Sequence, residues 1–150
     1  MNKRLRISAL ALSAGLLFSA LAGCGGAPKR DFSKLKLKDG HYTAVYKDET
    51  EDDKSASTCE VELTIEGGRI VACGSRELDA KGNVKDESYG KGLGGQSESK
   101  AQIALEGIRK YPELLVQKQD PETVDGISGA TVSLKRFKEA VWKALEEASK

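Results

Sequence analysis

A chain of 150 residues is one domain's worth of polymer once any leader is set aside. Its 24 Lys and Arg face 23 Asp and Glu, and Lys3, Arg4 and Arg6 fall within the first 23 residues, which hold no acid, so the rest carries 21 bases and 23 acids. A near-neutral domain with no aromatics interleaved among basic residues lacks the charge footprint and the stacking platform that nucleic acids require, which argues against a nucleic-acid partner.

The chain opens on Lys3, Arg4 and Arg6, runs apolar from Ile7 to about Ala22, and reaches small residues up to Cys24. The apolar run is shorter than the roughly 20 residues that span a bilayer and is interrupted by Gly15, so residues 1–23 read as a cleaved signal peptide. Leu21-Ala22-Gly23-Cys24 resembles the bacterial lipobox, whose Cys is acylated on sulfur and becomes the new N-terminus. The expectation is lipidation at Cys24 and an extracytoplasmic lipoprotein held on the lipid membrane through that residue. The alternative, an uncleaved anchor or an ordinary signal peptide, exports the domain as well. Residues 24–38, with Gly25-Gly26-Ala27-Pro28 and then Lys29, Arg30, Lys34, Lys36 and Lys38 against Asp31, read as a tether extending about 3.3 Å per residue. Its bases either add roughly 1 kcal/mol each near anionic headgroups or are simply solvated.

The folded domain is expected over 39–150. Asp39-Gly40 signals a turn, and His41 to Tyr46 is rich in β-formers. Lys47 to Ser57 is a polar loop. Val61, Leu63 and Ile65 then alternate with polar neighbours, Gly67-Gly68 tolerates positive φ, and Ile70 to Leu78 returns, which together predict a hairpin. A turn at 79–83 closes the strand-rich half.

Beyond it the period changes. Ser99 is placed to cap a helix whose Ala101, Ala104, Leu105 and Ile108 share one face, with Pro112 marking its end or a restart and a short helical turn from Glu113 to Gln117. From Ser133 onward Leu134, Phe137, Val141, Ala144, Leu145 and Ala148 form an apolar stripe, the mark of an amphipathic C-terminal helix. Strands first and helices later predict a single-domain α+β fold, helices packed on an antiparallel sheet.

Between the helices lies Asp125-Gly126-Ile127-Ser128-Gly129-Ala130-Thr131-Val132-Ser133. Two glycines and an alanine minimise bulk, hydroxyls cluster around them, and a helix follows. Free backbone N–H groups and the helix dipole suit an anion such as a tethered phosphodiester. The residues alone also admit a plainer reading, in which Thr131 or Ser133 is an N-cap after a tight turn.

Residues 125–131, Asp-Gly-Ile-Ser-Gly-Ala-Thr, resemble the flavinylation motif of the FMN-binding domain family, known from the C subunit of sodium-pumping NADH:quinone oxidoreductase and the G subunit of Rnf complexes. The likeness extends loosely over residues 39 to 148: the Asp39-Gly40-x-Tyr42 opening, the Gly-Gly hairpin, a Lys-Gly turn, a Tyr near position 89, helix, motif, helix. The arrangement is similar to the small flavin lipoproteins of Gram-positive extracellular electron transfer. The resemblance implies FMN donated from FAD by a flavin transferase and joined through its phosphate to Thr131, with Asp125, Gly126, Ser128, Gly129 and Ala130 forming the cofactor-binding loop. It implies electron relay between a membrane electron donor and an external or periplasmic electron acceptor, more in the manner of a carrier than of a substrate-converting enzyme. A non-redox surface-antigen or binding lipoprotein on the same scaffold is the alternative. The glycine-rich stretch Gly90 to Gly95 and the cysteines Cys59 and Cys73 depart from the pattern.

Other constellations are thin. Tyr42, Tyr89 and Trp142 are candidates for flavin-ring contact or for ordinary packing. His41 is the lone histidine and reads as a strand or surface residue, the acids from Glu49 to Asp53 lack an EF-hand's spacing, and no metal site or catalytic triad is assigned. In an oxidising compartment Cys59 and Cys73 would be candidates to pair. With a two-residue turn at Gly67-Gly68, Glu62 faces Cys73, leaving Cys59 three places away on the opposite face, so pairing fails unless a bulge intervenes.

Overall fold

The computed structural model describes residues 30–48 and 56–150; the leader, Cys24 and the acidic run from Glu49 to Asp53 lie outside the described residues. The folded unit spans Asp31–Lys150. It therefore starts eight residues ahead of the Asp39-Gly40 turn. Phe32, Leu35 and Leu37 pack against the core, Lys38 N–H donates to the Ala148 carbonyl at 2.9 Å, and the Asp39 carboxylate accepts from Gly68 N–H at 3.1 Å. The bases among residues 31–38 suggested a tether, but three apolar side chains spaced between them attach this stretch to the domain.

Three antiparallel strands follow in the order β1-β2-β3: β1 (Gly40–Lys47), β2 (Thr58–Glu66) and β3 (Arg69–Leu78). On β2 Cys59, Val61, Leu63 and Ile65 point inward, the period-two pattern of a half-buried strand. Gly67 and Gly68, at φ 58° and 72°, form the hairpin's two-residue turn, a conformation that disfavours side chains with a Cβ. The ladder then slips: Ile65 pairs with Ile70, but Thr64 pairs with Ala72. Val71 is the extra residue of a β-bulge, and beyond it Cys73, Ser75 and Glu77 turn inward.

This bulge corrects the facing expected for the cysteines. Leu63, not Glu62, lies opposite Cys73, and Cys59 lies opposite Glu77. The two thiols share a face but stand four positions apart, roughly 13 Å along the strands, where a disulfide needs Cα atoms within about 7 Å. Both are free. Burial pushes each thiol from 9.0 to about 12, with Glu77 adding to the rise at Cys59. Non-reducing mass analysis is expected to find two free thiols, with alkylation at pH 8 at least about tenfold slower folded than unfolded. The folded state keeps protons that the unfolded thiols lose near pH 9, so these groups erode stability as pH rises from 9 to 12.

Two helices cover the inner face: α1 (Gly95–Lys118) over β3 and α2 (Thr131–Ala148) over β1 and β2, each also touching the other. The first helix differs from expectation at both ends. It starts at Gly95 after Gly94, with φ 71°, rather than at a Ser99 cap, and Pro112 neither ends nor restarts it. An interior proline costs about 3 kcal/mol. Continuing past it keeps one face intact, since Leu105, Ile108, Tyr111 and Leu115 are all buried. The second helix begins at Thr131, three residues before Leu134, the first of its apolar stripe.

A buried ionic network ties α2 to the sheet. Arg136 reaches Asp48 through Nε and Glu77 through a terminal nitrogen, both at 2.6 Å. Lys85 Nζ lies 2.5 Å from the same Glu77 oxygen and 3.0 Å from Ser57 Oγ. These bonds join the end of β1, the end of β3 and the first turns of α2.

Candidate functional site

The segment from Asp120 to Ala130 carries the chain from α1 to α2. A 3₁₀ turn at Pro121–Thr123 and buried Val124 bring it back across the domain, and half-buried Ile127 packs on the core. Ala130 N–H donates to the Ile127 carbonyl at 2.9 Å, closing a tight turn over Ser128 and Gly129. Gly129 has φ 83°, and a Cβ there would lie 2.6 Å from Ile103 Cγ2, so backbone conformation and close approach both call for glycine. Gly126 differs: a Cβ would meet only Leu134, at an ordinary 3.6 Å.

Tyr111 supports this turn from within. Its ring is fully buried and stacked on Phe137, with centroids 5.9 Å apart. The hydroxyl donates to the Ala130 carbonyl at 3.1 Å and accepts from Ile127 N–H at 3.2 Å. Burial raises the hydroxyl above the ordinary phenol range, which keeps the proton available for donation. Two backbone groups of the loop are thereby satisfied without a side chain of the loop itself. Beside this contact Gly107 lets α1 approach Ala130, where an added Cβ would lie 2.4 Å from Ala130 Cβ. Gly107→Ala should thus destabilise by about 1–3 kcal/mol through overpacking, despite a helix-propensity gain of about 1 kcal/mol. Urea unfolding reads the sign, and a raised midpoint would mean that the two helices separate at little cost.

Thr131 is the first residue of α2 and is exposed. Ala130 is the N-cap and provides no side-chain hydrogen bond, so neither Thr131 nor Ser133 plays the capping part that the plainer reading gave them. The hydroxyls of the motif separate by burial: Ser128 and Thr131 are exposed, whereas Ser133 is buried. Asp125 is exposed and ion-pairs with Lys118, in the last turn of α1, at 2.9 Å. An open groove of about 260 Å³ beside Thr131 is bounded by Glu122, Leu134, Lys135, Lys138 and Glu139. A larger concavity, about 570 Å³, lies on the outer sheet face around Gly74 and includes no motif residue.

The aromatic candidates have structural partners. The indole N–H of Trp142, itself buried, donates to Glu122 at 2.7 Å. Tyr42 packs on the core with its hydroxyl on the Lys38 carbonyl at 3.0 Å, and Lys85 Nζ sits 4.9 Å from the Tyr89 ring centroid. His41 Nδ1 lies 3.0 Å from Thr64 Oγ1 on the exposed sheet face. The glycine-rich stretch packs on the start of α1: Gly90 approaches Ala101 so closely that a Cβ would lie 2.2 Å from it, and Gln102 donates to the Tyr89 carbonyl at 2.8 Å. Sequence reasoning missed Tyr111, Gly107, Ile103 and Lys118. A glycine amid a helical pattern, four residues before a tyrosine, was the one local signal of close packing.

Residues 44–146 match the family model described as the FMN-binding domain, and the chain belongs to that family. It is a flavin-binding domain by that membership. Among solved structures, the CPE2226 protein from Clostridium perfringens is similar in fold, at 24% identity and a TM-score of 0.58, over 75% of this chain and 88% of that one. A protein from Clostridium thermocellum solved by NMR shares 28% identity over 76% of this chain and 94% of its own, with a TM-score of 0.42. Comparison with curated proteins gives no match.

Proposed function

We propose that this protein is an extracytoplasmic lipoprotein that carries FMN covalently on Thr131 and relays electrons between a membrane donor and an acceptor outside the membrane. The observation that carries the reading is the exposed Thr131 hydroxyl at the end of a turn shaped by Gly129, Ala130 and buried Tyr111. The residues present suit the group. Thr131 offers an accessible oxygen, the first amides of α2 have no side-chain cap, and the carboxylate of Asp125 is paired with Lys118. Loading would balance as a phosphoryl transfer: Thr131 Oγ bonds to the FMN phosphorus of FAD, the bond to AMP breaks, and the hydroxyl proton leaves to a base of the transferase. Exposed Val132 next to Thr131 and Ile103 beside Gly129 offer apolar surface at the motif.

When bound, flavin supplies reversible electron chemistry, while the protein contributes position, packing and local charge. A covalent bond suits an exported domain, because a dissociable cofactor would be diluted outside the cell. Coexpression with a flavin transferase followed by intact-mass measurement and peptide mapping tests the assignment. One FMN on the Thr131 peptide is expected. A colourless, unmodified protein would favour the non-redox lipoprotein, and flavin on Ser128 would move the site. Cys24→Ala should shift the chain from the membrane to the soluble fraction, and membrane retention of the cleaved variant would refute the lipid anchor.

A further inference from the structure

Charge is unevenly committed in the groove beside Thr131. Thr131, Leu134, Lys135 and Lys138 recur along α2 at the spacing that puts side chains on one face, with Glu122 and Glu139 completing the walls. Lys138 is held by Glu122, its Nζ 3.4 Å from the carbonyl oxygen and 3.8 Å from the carboxylate. Glu122 also accepts from Trp142, and Glu139 has a partner of its own. Lys135 is exposed and, alone of the charged groups in this groove, makes no ion pair or hydrogen bond among the described residues.

Lys135 stands four residues after Thr131, which on a helix puts their Cβ atoms about 5–6 Å apart. A phosphodiester on Thr131 Oγ would carry one negative charge within the sweep of this ammonium. Asp125, the motif's own acid, has its charge paired with Lys118 and does not compete for Lys135. We infer that Lys135 is the counter-ion of the phosphodiester joining FMN to this chain, an inference that rests on the attachment proposed above. Its task is to hold the first bonds of the flavin arm against the exposed stripe of α2. The pairing is open to solvent, so added salt weakens it.

Phosphorus NMR of the loaded full chain reads this directly. Wild type, K135Q, K135R and K138Q would be loaded by a flavin transferase, and peptide mapping would first establish flavin on Thr131. The expected result is a single phosphodiester resonance that K135Q displaces, that K135R keeps near the wild-type position, and that K138Q leaves in place. One molar sodium chloride, with a Debye length of about 3 Å, should move the wild-type resonance toward that of K135Q. If flavin sits on Thr131 and K135Q leaves the resonance unmoved, or K138Q moves it more, Lys135 is not the counter-ion. If no flavin is found on Thr131, the attachment reading fails and takes this inference with it.

Discussion

Thr131→Ala is expected to lower covalent flavin from one per chain to none, while unfolding free energy changes by less than about 0.5 kcal/mol. The two halves of this result have separate causes. Transfer needs a hydroxyl oxygen, and alanine has none. Stability should hold because the side chain is exposed, donates no capping bond, and gives way to the residue with the highest helix propensity. Thr131→Ser should still load, since it keeps the oxygen in place. Ser133 is a poor substitute because it is buried, so its use would require α2 to fray by a turn. Ser128 is exposed and is the real competitor. Absorbance of the purified variant after coexpression with a transferase, together with urea unfolding, checks both halves. Full loading of Thr131→Ala would remove the assignment whatever its stability.

A second large effect is expected at Glu77. Its carboxylate meets both Lys85 and Arg136 in the interior, and removing it as Glu77→Ala leaves the Lys85 ammonium buried with no anion beside it, only Ser57 Oγ and the face of the Tyr89 ring. Breaking a buried pair on one side costs about 3–5 kcal/mol, a large share of the 5–15 kcal/mol that holds a domain folded. Arg136 keeps Asp48 and so loses less. The paired replacement Glu77→Met with Lys85→Met should recover much of the loss, because it removes both charges rather than stranding one. Urea midpoints of the single and paired variants decide the matter. A single variant within about 1 kcal/mol of wild type would mean that water reaches Lys85 readily.

Much of this arrangement is legible in the chain because it is local. The Gly67-Gly68 turn, the alternation on β2, the stripe on α2 and the run from Asp125 to Thr131 each declare themselves within a single short segment, and each is found where the pattern puts it. What was not legible depends on contacts distant in sequence. Pro112 ends a helix by local rule, yet α1 passes through it because Tyr111 and Leu115 pack beneath the sheet and the motif. Phe32, Leu35 and Leu37 look like scattered apolar residues in a basic linker until the core is present to receive them. Tyr111 supports the motif from 16 and 19 residues away, and no spacing rule within the motif points to it. Among the hydroxyls, sequence could rank Thr131 by resemblance, but only burial separates Ser133 from Ser128.

Val71 sets the parity of every later residue on its strand. Arg76 and Glu77 are adjacent, and one extra position decides which of them the interior receives. Counted without the bulge, residues 72, 74 and 76 would face the helices, so the cation Arg76 would meet Lys85 and Arg136 while Glu77 pointed to water. The sign of the charge beneath α2, and with it the seat of the helix that begins at Thr131, therefore depends on a single uncounted step in the ladder. A length change in the 79–83 turn alters only a connection, whereas pairing the same residues without the extra step at Val71 would exchange an anion for a cation at the point where three elements meet.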